Sequence, residues 1–174
     1  GLKYGLWFEP EMVSPDSELY RAHPDWCLHE PGRPRSLSRN QLVLDLGRPE
    51  VARYVIESVS AILRSAPIAY VKWDMNRHMT EVGSAGLPPE RQKETYHRYM
   101  LGLYAAMDEL TKAFPEVLFE GCSGGGGRFD PGILAYMPQI WTSDNTDAFS
   151  RLSIQYGTSL VYPPSAMGSR VRSS

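Results

Sequence analysis

The chain has 174 residues, a formal net charge of −2 and an apolar fraction of 42%. That length can bury a core as one globular unit, and the near-neutral balance argues against nucleic acid or an anionic membrane surface as partner. The longest apolar runs, such as VLF and QLVL, are far too short to span a bilayer, so no membrane segment is expected.

Residues 2–10, LKYGLWFEP, are apolar and aromatic and end in Glu9 and Pro10, which predicts a buried strand entering a loop. No basic-then-apolar leader opens the chain, which predicts no signal peptide. Residues 14–40 carry many Pro, His, Arg and Ser and show no steady period; they read as a long functional loop. QLVLDL (41–46) is strand-like. Residues 48–66 place Val51, Tyr54, Val55, Ser58, Val59 and Ile62 on one helical face, with Pro49 at the start. IAYVKWD (68–74) is the next strand. Residues 87–114 form a long amphipathic helix, with prolines at its front and Pro115 just after it. VLFEGC (117–122) and PQIWTSDN (138–145) are further strands, separated by the glycine run and a short helical piece over 131–137. Residues 147–160 read as helix, and VYPPSAMGS leads into a last strand. Strands alternating with helices predict an α/β fold with a parallel sheet. The two cysteines, Cys27 and Cys122, read as free thiols and favour a reducing, cytoplasmic setting.

Four strands end in chemically capable residues: Trp7 and Glu9, Lys72 and Asp74, Glu120 and Cys122, and Asp144. One strand-end aspartate is usually a turn or a helix cap. Four such ends in register point to a ligand site, because parallel α/β folds bind ligands at the carboxyl edge of the sheet. Asp74 and Asp144 are a pair able to split roles, one ionised and one protonated, as glycoside hydrolysis requires. Period-two alternation puts Lys72 on the face of Asp74, where its charge would keep that carboxylate ionised; a structural Lys–Asp pair is the other reading. Trp7, on the face of Glu9, suits the apolar side of a sugar, whereas Trp73 falls on the opposite face and reads as core. Tyr96, Tyr99 and Tyr104 of the long helix read as packing residues. The four histidines, His23, His29, His78 and His97, lack ligand spacing, and no metal or other cofactor is expected, although acidic strand ends by themselves can take Mg²⁺. The glycine run GCSGGGG matches neither phosphate fingerprint and stands open as phosphate loop, connector or pocket wall.

GLKYGLWFEPEMV, YVKWDMNR, FEGCSGGGGRFD and WTSDNTDAFSRLSIQYG, in that order, resemble the catalytic barrel of bacterial α-galactosidases of glycoside hydrolase family 36, over nearly the whole chain. The resemblance implies a (β/α)8 barrel, present over about strands three to seven, and a retaining double displacement at an α-linked galactose. It implies Asp74 as nucleophile and Asp144, not Asp147, as acid/base. It further implies sugar contacts from Trp7, Arg39, Lys72, Asn76, Cys122 and Gly125, an α-galactoside as substrate, and a tetrameric full-length protein. One departure is the end of the chain: the family continues M-G-x-H-V where Met167-Gly168-Ser169-Arg170-Val171 stands, so residues 171–174 read as a truncated or non-native tail.

Overall fold

The computed structural model describes residues 1–169, so the expectation about 171–174 lies outside the described residues. In chain order the strands are β1 (Tyr4–Phe8), β2 (Met12–Val13), β3 (Leu42–Val43), β4 (Ile68–Trp73), β5 (Leu118–Gly121), β6 (Gln139–Trp141) and β7 (Met167–Gly168). The α-helices are α1 (Glu18–Ala22), α2 (Pro49–Ser65), α3 (Thr95–Ala113) and α4 (Ala148–Ser159). The chain folds as two units. One comprises Gly1–Glu9, Pro67–Asn76 and the chain from Phe114 onward; the other comprises Pro10–Ala66 and Arg77–Ala113.

The first unit is built on a five-stranded sheet in the order β1-β4-β5-β6-β7, parallel at every pairing. Aromatic and β-branched residues dominate these strands because they fit a pleated, half-buried surface. Register sets Trp7, Lys72, Glu120 and Gln139 side by side across four strands. Alternation then raises Asp74, Cys122 and Trp141 above that row on the same face. The intervening positions Val71, Trp73, Phe119 and Ile140 point to the other face and are buried, as the core reading of Trp73 anticipates.

The second unit holds α2 and α3. Its α2 buries Val51, Val55 and Val59 together with Ala52, Ile56, Ser60 and Leu63. Tyr54 and Ile62 are 39% and 41% exposed, so the buried face is rotated from the expected one. The small β-branched ridge packs closely, and the tyrosine is left at the rim. Arg53 and Glu109 join α2 to α3 through an ion pair of 2.6 Å. In α3, Tyr99, Leu103, Ala106, Met107 and Leu110 are buried, which bears out Tyr99 as a packing residue. Tyr96 is not one: it is 58% exposed and, from the first turn of α3, lines an open groove with Pro31, Val82 and Leu87. The helix itself begins later than expected, because the proline-led segment Pro89–Glu94 winds as a 3-10 turn.

Two further expectations are corrected. The segment at 41–46 gives only β3, which pairs antiparallel with β2 and stays outside the main sheet. The stretch at 14–40 is not all loop: Ser17 caps α1 by accepting from the Tyr20 backbone N–H, and Pro24–Trp26 forms a 3-10 turn. A five-residue helix is too short for a periodic signature to emerge from sequence. Among the described residues, no helix is long and apolar enough to cross a membrane.

Candidate active site

The upper row of the sheet face holds the candidate site residues. Asp74 follows β4 and is 5% exposed. Burial alone would raise its carboxyl, yet its net position is below the usual aspartate range, because hydrogen bonds from Trp7, Asn76, Cys122 and the Met75 backbone all favour the charged form. The Trp7 indole donates to Oδ2 at 3.0 Å and the Met75 N–H to Oδ1 at 2.9 Å. Asn76 is in turn held by Glu9, whose Oε1 accepts from its amide Nδ2 at 2.6 Å and its backbone N–H at 3.2 Å. The Cys122 thiol is pushed up to about 12, first by burial and then by the Asp74 carboxylate it donates to, so it stays a neutral donor. Both cysteines are free and buried.

Lys72 sits one row lower. Its ion pair is with the buried Glu120, at 3.9 Å, rather than with Asp74. Register explains this: Lys72 and Glu120 are direct cross-strand neighbours, whereas Asp74 is two residues along the same strand. The ionised state of Asp74 is therefore secured by hydrogen bonds, and not by the lysine as the sequence suggests. The Lys72 ammonium also lies 4.7 Å from the Trp141 ring centroid, a cation–π contact.

Asp144 lies in the loop after β6, which ends at Trp141 instead of continuing to residue 145. The Trp141 indole donates to Asp144 Oδ1 at 2.8 Å. Asp147 is committed elsewhere: its carboxylate caps α4 by accepting the Ser150 backbone N–H at 2.8 Å. Of the two aspartates in SDNTD, Asp147 caps the helix and Asp144 faces the Trp141 indole.

The glycine run packs against this loop. Gly125 has φ +88°, and a Cβ there would stand 2.9 Å from Ser143 Cα and 3.2 Å from the Asp144 nitrogen. At Gly126 a Cβ would lie 2.7 Å from the Thr142 carbonyl oxygen. These residues are glycine because two backbones meet there. Ser123 ties the same loop to the Asp74 strand, donating through Oγ to the Met75 carbonyl at 3.0 Å. The Gly125 N–H is directed at the Cys122 sulfur. The run is thus a wall linking two aspartate-bearing segments.

The sequence model of the family described as Melibiase matches residues 1–174. The chain belongs to the Melibiase family. It is 75% identical over 171 residues to alpha-galactosidase AgaA of Geobacillus stearothermophilus, covering 98% of this chain and 24% of that protein. It also matches two solved structures of substituted AgaA. One, carrying an aspartate-to-asparagine change and in complex with raffinose, is 74% identical with TM-score 0.96 over 98% of this chain and 24% of that one. The other, carrying an aspartate-to-alanine change and in complex with stachyose, is 70% identical with TM-score 0.95 over 99% and 26%. This chain therefore spans about a quarter of the length of the relatives it matches.

In this Melibiase chain Arg39 belongs to the second unit. Ser38 and Gln41 exchange backbone hydrogen bonds of 3.3 and 3.0 Å across Arg39 and Asn40, whose φ values are +54° and +59°. Positive φ at both central positions is the signature of a type I′ turn, one that costs an arginine backbone strain. Arg77, buried, holds the turn by donating to the Ser36 carbonyl at 3.1 Å, to the Gln41 carbonyl and to Thr80 Oγ1 at 2.8 Å. The structure thus brings Trp7, Lys72, Asp74, Asn76, Cys122, Gly125 and Asp144 into one unit and sets Arg39 on a stiffened turn of the other. Sequence reasoning missed Arg151, Ser123 and the supporting role of Glu9. Of these, only Glu9 had a legible signal, its place at a strand end. Among the described residues, no group of three or more His, Cys, Asp or Glu is arranged to hold a metal ion.

Proposed function

We propose that this chain is the core of the catalytic domain of a retaining, exo-acting α-galactosidase, spanning about strands three to seven of a (β/α)8 barrel. The observation that carries the reading is the buried Asp74 carboxylate, kept ionised by an indole, an amide and a thiol at the carboxyl edge of the sheet that also presents Asp144. The strand order supports the barrel: successive strands sit side by side with no reversal, unlike a doubly wound sheet, whose order reverses at a switch point. The relatives support the substrate, since AgaA variants are complexed with raffinose and with stachyose. The aspartates replaced in those two complexes are separated along their chain by the same interval as Asp74 and Asp144.

In the proposed reaction Asp74 Oδ attacks the anomeric carbon from the β face as the bond to the leaving oxygen breaks. Asp144 gives its proton to that oxygen. The indole of Trp141 engages Oδ1 and leaves Oδ2 for the proton. Asp144 then takes a proton from water, which opens the glycosyl ester and returns Asp74 as carboxylate. Trp7 stacks on the sugar, while Lys72, Asn76, Cys122 and the backbone at Gly125 meet its hydroxyls. Proton NMR of the first product from p-nitrophenyl α-galactoside tests the mechanism in the full-length protein. α-Galactose should form before mutarotation; β-galactose would mean inversion, and no cleavage would remove the assignment.

Gly125→Val should act through Asp144 as much as through substrate fit. The added side chain meets the Ser143 backbone at a φ that valine avoids. A displacement of about 1 Å at a catalytic group costs on the order of 10²-fold in rate. Steady-state kinetics on the same galactoside should therefore show a fall in kcat, and a change confined to KM would leave the glycine as a steric allowance for sugar alone.

A further inference from the structure

Arg151 is an unexpected residue in the first unit. It sits one turn into α4, where an arginine ordinarily faces solvent, yet it is 2% exposed and is the buried residue of that helix. Its Nη1 donates to the Ser143 carbonyl at 3.0 Å and to the Asn145 carbonyl at 3.4 Å, the residues on either side of Asp144. Its Nη2 donates to the Gly168 carbonyl at 3.0 Å, fastening that loop to β7. Its guanidinium carbon lies 4.7 Å from the centroid of the Trp141 ring, whose indole N–H holds Asp144 Oδ1. A single planar cation thus holds the carbonyls of the residues on either side of Asp144 and the aromatic ring that orients its carboxyl.

We propose that Arg151 is the positioning residue of the acid/base: it locks the Ser143–Asn145 loop and Trp141 so that Asp144 Oδ2 stands at a fixed place for proton transfer. This role rests on the α-galactosidase reading above. A lysine cannot replace it, because a point-like ammonium lacks the fork that reaches carbonyls on two segments at once. Arg151 does not touch the sugar and does not exchange a proton. It works by limiting where the Asp144 carboxyl can go, and general acid catalysis depends on that placement.

Leaving-group dependence isolates this role. A 2,4-dinitrophenolate departs without protonation, whereas the fructosyl-glucose portion of raffinose requires the proton from Asp144. In the full-length protein, kcat/KM reports transfer of the sugar to Asp74 for both substrates. Arg151→Met should lower kcat/KM for raffinose by about 10²-fold, the general-acid contribution, and that for 2,4-dinitrophenyl α-galactoside, whose departure needs no proton, by less than about 5-fold. Arg151→Lys, which keeps the charge and most of the bulk, should show the same asymmetry and carries the test if the methionine variant does not fold. Equal losses on both substrates, or no loss on either, with a folded variant and an active wild type, would overturn the positioning role alone. Failure of both variants to fold would also overturn it, in favour of a purely structural clip. A wild type inactive on both galactosides would instead overturn the functional reading on which the role rests.

Discussion

Asp74→Gly in the full-length protein is expected to lower kcat/KM on aryl α-galactosides by about 10⁴-fold or more, with the protein still folded. The carboxylate accepts from Trp7, Met75, Asn76 and Cys122, so the site invests several donors in keeping one nucleophile charged. Removing the side chain leaves a small space at the sheet edge while Asp144 and its Trp141 partner remain. Azide should enter that space, attack the anomeric carbon from the β face and release the leaving group with a proton from Asp144. The expected product is β-galactosyl azide, identified by its anomeric proton coupling. Undiminished hydrolysis, or rescue that yields the α-azide, would remove Asp74 from the role of nucleophile. The thiol of Cys122 does not substitute, because burial, the largest cause of its raised pKa, remains when the Asp74 side chain is removed and disfavours the thiolate.

The second large effect concerns folding. Gly102→Ala in α3 is expected to destabilise the protein by about 3 kcal/mol or more, the upper range for overpacking. At an exposed helical position this substitution would stabilise by about 1 kcal/mol, because glycine is the poorer helix former. Here a Cβ would stand 1.8 Å from the Leu46 carbonyl oxygen and 2.6 Å from its carbon. Neither atom is the end of a flexible side chain, so α3 must move away from the Leu46 segment. Leu46 is 1% exposed and Tyr99, Leu103 and Ala106 of the adjoining turns are fully packed, so movement breaks other contacts. Urea unfolding followed by circular dichroism checks the sign. A variant as stable as the parent, or more so, would mean that the helix–loop approach is softer than the structure describes.

Much of the candidate site is legible before folding. Alternation along YVKWD and LWFE assigns Lys72 with Asp74 and Trp7 with Glu9 to shared faces, and the sheet agrees. The order of strand, helix and strand, with prolines as punctuation, places α2 and α4 to within a few residues and α3 at its C-terminal end. The Asp147 cap emerges with the structure, where its carboxylate accepts the Ser150 backbone N–H. What fails is everything that depends on the partner across a strand or along a loop. The Lys72–Asp74 pairing is reasonable along the chain and wrong in space, because the register offers Lys72 the buried Glu120. The β2–β3 pair joins residues about thirty apart through an irregular segment, and two-residue strands carry no periodic signal.

For the main sheet and the long helices, sequence by itself determined the kinds of element, their order and the face of each strand, and it also showed membership of a family whose motifs are long and ordered. These are local properties: period, capping chemistry and turn residues act over a few positions, and a chain displays them before it folds. Only the tertiary structure decided which charges meet and which backbones touch. Arg151 reads as an ordinary helix arginine until the fold buries it beside Trp141 and gives it three carbonyls to hold. Gly125 and Gly126 read as part of an open glycine run until the loop is laid against the backbone of Thr142, Ser143 and Asp144, which a side chain there would meet. Non-local contacts of this kind are set by register and close packing, and their energies depend on distances that no linear pattern encodes.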